Sequence, residues 1–238
     1  MLHGEVRDRE AQPAAGAARE AAESEAHAQS ATQRGLVRVA VPMSFGLKEV
    51  APLLPEFLAE YPDVSVDLHL SDELVDLIGA GFDAALRIAA LPDSSLRARR
   101  LRDVGHYLVA APSYLKQHGR PAHPSDLMHH ACLCYVYLPT PDVWRFVNKA
   151  GEEVHLRPNG PLRANNADAI APALLAGLGL AVQPDFVVGE AKAEGRLEVV
   201  MPDWTPPPIP LLLVMPPGGP RPARVEVLAA FLTERLGA

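Results

Sequence analysis

Hydroxyl, amide and guanidinium side chains recur where strand-like segments of this sequence end. These are the groups that hold small anions. Ser44 follows the run LVRVAV (36–41), with Phe45 beside it, and Ser71 follows VSVDLHL (64–70). Arg87 lies near the end of FDAALRI (82–88), and Asn165-Asn166 precede a helix-like run. A serine or asparagine at a strand-to-helix turn, with the free N–H groups of the helix, can hold a carboxylate. The same residues are ordinary helix N-caps. Arg87 either neutralises an acidic ligand or is a solvated or salt-bridged side chain. Such turns at strand carboxyl ends are where open α/β sheets bind ligands, so together they point to a ligand cleft.

Other chemistries find less support. No GxSxG, HExxH, P-loop or GxGxxG pattern occurs, and no nucleophile–base pair is evident, so no enzyme is expected. Gly177 and Gly179 stand after a helix-like run and before a strand, the reverse of a dinucleotide turn, and read as a helix C-cap. His129, His130, Cys132 and Cys134 form the one metal-like cluster, and imidazole with thiolate suits zinc. Yet both cysteines share one face of a strand, and no second ligand pair has finger spacing. Two small buried thiols are the expected reading, with no metal and no cofactor.

The elements that position these residues follow from periodicity. Leu36–Val41 predicts a strand, and a Pro-Met-Ser-Phe-Gly turn opens a helix over about Leu47–Tyr61, with Val50, Leu53, Leu54, Phe57 and Leu58 at helical spacing. Val64–Leu70 alternates as a strand. Ser71-Asp72 predicts the cap of a short helix, Glu73–Ala80, ending at Gly81 before the strand Phe82–Ile88. Strands are further expected at Tyr107–Ala111, Cys132–Tyr137, Trp144–Asn148, Glu153–Arg157, Pro161–Ala164, Leu180–Gln183, Arg196–Met201 and Ile209–Met215. Helices are expected at Pro112–His118, Ala167–Ala176, Asp185–Ala193 and Pro222–Leu236. The β-α-β-α-β opening argues for parallel strands covered by helices on both faces.

The chain has 238 residues, 48% of them hydrophobic, enough for a sizeable core. Its net charge of −7 supplies no overall field toward nucleic acid. Two cysteines exclude a disulfide framework. The uncharged runs, Ala169–Pro184 among them, fall short of the roughly 20 residues that cross a bilayer, and no signal pattern opens the chain, so a cytoplasmic protein without membrane contact is expected. Residues 1–34 hold ten alanines, six acids and four arginines, and no large apolar residue between Val6 and Leu36. They read as a disordered tail or a helix that pairs with another chain.

Read together, GLVRVAVPMSFG (35–46), APLLPEFLAEYPDVSVDLHLSD (51–72), GFDAALRIAALPDSSLRARRL (81–101), VAAPSYLKQHGRPAHPSDLMHHACLCY (109–135), PLRANNADAIAPALLAGLGLAVQP (161–184) and VEVLAAFLTERL (225–236) resemble the effector-binding domain of LysR-type transcriptional regulators. The resemblance implies an α/β, two-lobed, periplasmic-binding-protein-like (type 2) fold over 35–238. Its first lobe would span about 36–108 and 211–238, and its second about 109–210. It implies a small acidic or aromatic effector between the lobes. Carried over, Ser44, Phe45, Ser71, the loop from Arg87 to Leu91, Asn165 and Asn166 would contact it. It also implies a homodimer or higher oligomer. Family members open with a winged helix-turn-helix, through which they bind DNA. Residues 1–34 show no such pattern and resemble the tail of the linker helix, so the sequence reads as a regulator without its DNA-binding half.

A solute-binding protein serving a transporter shares the lobed fold and is the alternative. It needs export, for which no signal or lipobox is seen.

Overall fold

The computed structural model describes residues 33–89, 96–137, 142–218 and 220–237. The strands in chain order are β1 (Gly35–Val41), β2 (Val64–Leu70), β3 (Ala84–Ile88), β4 (Arg97–Val104), β5 (His106–Ala110), β6 (Cys134–Tyr135), β7 (Trp144–Asn148), β8 (Glu153–Leu156), β9 (Arg163–Ala164), β10 (Leu180–Pro184), β11 (Glu198–Val199), β12 (Trp204–Thr205) and β13 (Ile209–Met215). They form two lobes.

The first lobe is a five-stranded sheet in the order β2-β1-β3-β13-β4. β1 pairs in parallel with β2 and β3, as the opening rhythm predicts, and β13 returns antiparallel between β3 and β4. One face packs Val37, Val39, Leu211 and Leu213 against Phe45, Phe57 and the C-terminal helix Ala223–Leu236, which contributes Val225, Leu228, Phe231 and Leu232. The other face packs Ala40, Ala85, Leu212 and Val214 against Leu77 and Phe82.

The first helical run differs from its prediction. It begins earlier, at Met43–Phe45, widens to a π turn over Gly46–Val50, tightens to a 3₁₀ turn at Ala51–Leu53 and resumes as α-helix over Leu54–Glu60. Pro52 and Pro55 remove two backbone donors from the run, and the hydrogen-bond ladder shifts its period around them. Ser44 therefore stands inside the first turn and is not its N-cap; Pro42 holds that position without a side-chain cap.

The helix expected over Glu73–Ala80 does not form. The Ser71 hydroxyl accepts from the Glu73 N–H at 3.1 Å, and Asp76 accepts from the Ile78 N–H at 3.1 Å. Arg87 donates to the Val75 carbonyl at 2.7 Å. These side chains capture the backbone groups that a helical ladder needs. What remains is a chain of turns that lays Leu77 and Phe82 on the sheet.

The second lobe is built on the antiparallel order β10-β5-β11. One face packs Leu108, Leu180 and Val182 on Leu127, Trp144 and Phe146, and the other packs Val109 and Ala181 on Ile170, Leu174 and Val188. The helices Pro112–His118, Ala167–Leu175 and Asp185–Ala193 lie where periodicity places them. Gly177, at φ +74°, closes the Ala167–Leu175 helix as expected, its N–H donating to the Leu174 carbonyl. A Cβ on Gly179 would stand 2.4 Å from the Ala131 carbonyl oxygen, so only glycine lets the following strand approach that segment.

Candidate functional site

Between the lobes lies a cavity of about 230 Å³. The first lobe supplies Ser44, Phe45, Ser71, Asp72 and Arg87 to its wall; Tyr135, Tyr137 and Phe186 come from the chain beyond β5. Its polar groups sit at the carboxyl ends of β1, β2 and β3, as the sequence suggests for an open α/β sheet.

Ser44 is buried, and its hydroxyl accepts from the Asn166 side-chain amide at 3.2 Å. Asn166 is the N-cap of the Ala167–Leu175 helix, with its Oδ1 accepting from the Ala169 N–H at 3.2 Å. Its amide also donates to Asp72 at 2.9 Å. The other Asp72 oxygen accepts the Met43 N–H at 2.9 Å and so takes the capping place that sequence reasoning gave to Ser44. Lys48, in the π turn, reaches Asp168 at 3.3 Å. The start of the Ala167–Leu175 helix is thus tied to the first lobe by an amide and by an ion pair.

Phe45 is fully buried and meets Phe186 edge to face, with ring centroids 5.2 Å apart and planes at 83°. Ser71 lines the cavity with its hydroxyl engaged by the Glu73 N–H. Arg87 lines it half-buried, and burial lowers its pKa from the ordinary guanidinium value. Among the described residues no carboxylate stands within ion-pair distance of Arg87. Asn165 is exposed and stands apart from the described cavity wall, and Leu91 lies outside the described residues.

Sequence reasoning misses the wall residues Asp72, His106, Tyr135, Tyr137 and Phe186, among others. From its neighbours Asp72 reads only as part of a cap, and Tyr135 and Tyr137 only as strand. Burial pushes the Tyr135 phenol up, with Asp72 and Tyr137 adding to the shift. His106 is buried in the wall and bonds the Val104 carbonyl through Nδ1 at 3.2 Å; burial lowers its pKa.

The metal-like cluster is not assembled. Cys132, just before β6, and Cys134 within it are buried in one cluster, with their sulfurs over backbone carbonyls, while His129 is exposed. Among the described residues no group of three His, Cys, Asp or Glu side chains could hold a metal ion. No helix of the described residues is long and apolar enough to cross a membrane.

Comparison with known proteins agrees with this geometry. The LysR substrate binding domain family matches residues 30–237. An HTH-type transcriptional regulator of Xanthomonas campestris pv. campestris is 37% identical over 206 residues, which is 85% of this chain and 60% of that protein. The HTH-type transcriptional activator AaeR of Escherichia coli K12 is 32% identical over 203 residues, 85% of this chain and 65% of that protein. The chain spans about 60–64% of the length of the first curated relatives it matches. Among solved structures, the regulatory domain of CrgA from Neisseria meningitidis superposes with a TM-score of 0.75 at 30% identity, covering 86% of this chain and all of that one. Full-length AphB of Vibrio cholerae superposes with a TM-score of 0.78 at 26% identity, covering 94% of this chain and 77% of that one. The two lobes therefore have the type 2 periplasmic-binding-protein-like fold of these regulatory domains, and the chain belongs to the LysR substrate-binding domain family.

Proposed function

We propose that this chain is the effector-sensing part of a LysR-type transcriptional regulator, and that a small acidic or aromatic effector binds between its lobes to control transcription. The lobes divide at about 36–108 with 211–238, against 109–210. One observation carries the reading: Arg87 is a half-buried cation without a carboxylate partner among the described residues, on the wall of a cavity shared by both lobes. A desolvated guanidinium matches a carboxylate in shape and charge. Phe45, Phe186 and Tyr135 supply flat apolar surface for the rest of such a ligand. Ser44, Phe45, Ser71 and Arg87 border the effector, with Asn166 bonded to Ser44 beside them. A ligand that touches both walls has higher affinity for one lobe spacing than for another, and can therefore shift the population of states. Subunits pair through the lobes, and DNA is reached only through a winged helix-turn-helix, of which residues 1–34 show no pattern.

Titrating isotope-labelled protein with a panel of small aromatic and aliphatic acids tests this. Amide resonances of Ser44, Phe45, Ser71, Arg87 and Phe186 should shift together and saturably. Shifts spread over the outer surfaces of the lobes, with these residues still, would contradict it.

A further inference from the structure

The Asp72 carboxylate sits where a ligand carboxylate would be expected to sit. Two donors converge there from different lobes: the Met43 N–H and the Asn166 amide, each at 2.9 Å. Both are already satisfied by Asp72, one per oxygen. The Ser44 hydroxyl is turned to the same amide. The serine-and-helix turn that reads from the sequence as an anion site is therefore filled by the chain itself. Arg87, on the same cavity wall, makes its one described side-chain bond to the Val75 carbonyl. Its planar fork has five N–H donors, so a bidentate face is left for a ligand.

We propose that Asp72 is the specificity-determining residue of the cavity: as a built-in carboxylate it fills the Met43–Asn166 seat and restricts the effector to one anionic group, held at Arg87. The inference rests on the effector-site reading above. An effector with a second carboxylate would bring it against the Asp72 charge, a repulsion on the order of tenfold or more in affinity at contact distance in a partly desolvated site. A neutral or hydrogen-bond-donating group meets no such penalty. The effector class is thus a monocarboxylate with an apolar or donor-bearing body, and dicarboxylates of similar size are excluded.

The probes are benzoate and its dicarboxylate counterpart terephthalate. Each is titrated by calorimetry, with amide resonances followed in parallel, into the wild-type protein, Asp72→Ala, Asp72→Asn and Arg87→Gln. Wild type should bind benzoate at least tenfold more tightly than terephthalate, with the Met43 amide resonance unmoved. Asp72→Ala should erase that preference, and terephthalate should then shift the Met43 and Asn166 amides. Asp72→Asn keeps the side-chain shape, so it guards against a folding defect in the alanine variant, and it should recover part of the terephthalate affinity. Equal binding of both acids by wild type, or a preference unchanged in both Asp72 variants, overturns the inference alone. Absence of benzoate binding to wild type, or benzoate binding untouched by Arg87→Gln, overturns the effector-site reading and this inference with it.

Discussion

The side-chain amide of Asn166 donates to the Asp72 carboxylate at 2.9 Å, joining two residues 94 positions apart from the two sides of the cleft. The same asparagine caps its own helix. Replacing it by alanine removes a cap, which costs about 0.5–2 kcal/mol. It also leaves a partly buried carboxylate short of a donor, so a total loss of about 1–3 kcal/mol is expected in urea unfolding. Asn166→Ser keeps a capping oxygen and loses the amide that reaches Asp72, without adding a charge beside it, so it separates the two contributions. It should be less stable than wild type even though its helix remains capped. Equal stability of Asn166→Ser and wild type would show that the cross-cleft bond contributes nothing.

Acid should weaken the fold through His106. Burial holds its pKa below the ordinary histidine value of 6.5, against smaller opposing effects of the Val104 carbonyl and Asp185. His130 is lowered by burial and by His118. For both, the unfolded chain takes up the proton first as pH falls. Their contribution to stability is therefore complete above about 6.5 and is lost as pH falls below it. The melting temperature should drop between about pH 7 and pH 5, and His106→Gln should flatten that drop. An unchanged slope in His106→Gln would assign the effect elsewhere.

Cys132 and Cys134 should be inert while the chain is folded. Both are buried, and burial pushes the Cys132 thiol up to about 12 and raises that of Cys134. The thiolate is the reactive form, so a thiol reagent should label neither residue in native buffer and both in denaturant. Rapid native labelling would mean that the β6 segment opens.

Assembly should reside in the lobes. Residues 1–34 carry alanine where a coiled coil needs leucine or isoleucine, so they supply no strong seam. Deleting them should leave a homodimer in sedimentation at micromolar concentration. Collapse to monomer would place the contact in that segment.

Much of this fold is legible in the sequence because period and burial agree. Val37, Val39 and Val41 alternate in a strand whose core face is dry, and Val225, Leu228 and Leu232 mark one stripe of the last helix. Legibility fails where side chains override the local pattern. Ser71, Asp76 and Arg87 divert the backbone of 71–82 from a helix that its spacing allows. β4, RARRLRDV, escapes detection because among the described residues it is an edge strand, paired with β13 alone. Its exposed arginines Arg97, Arg99 and Arg100 hide the alternation while they protect the edge from further pairing. In the cleft, the turns at Ser44 and Asn166 are visible from strand ends. The role of Asp72 is not, because its partners come from residues 43 and 166, and no local rule joins them.

The central claim, an acid effector held between the lobes, turns on Arg87. Calorimetry of wild type and Arg87→Gln against benzoate reads it directly. The account predicts saturable binding to wild type and a loss of about 1.5–3 kcal/mol, more than tenfold in affinity, when the charged hydrogen bond is removed. Equal affinity of the two proteins, with Arg87→Gln folded as judged by its amide spectrum, would contradict it.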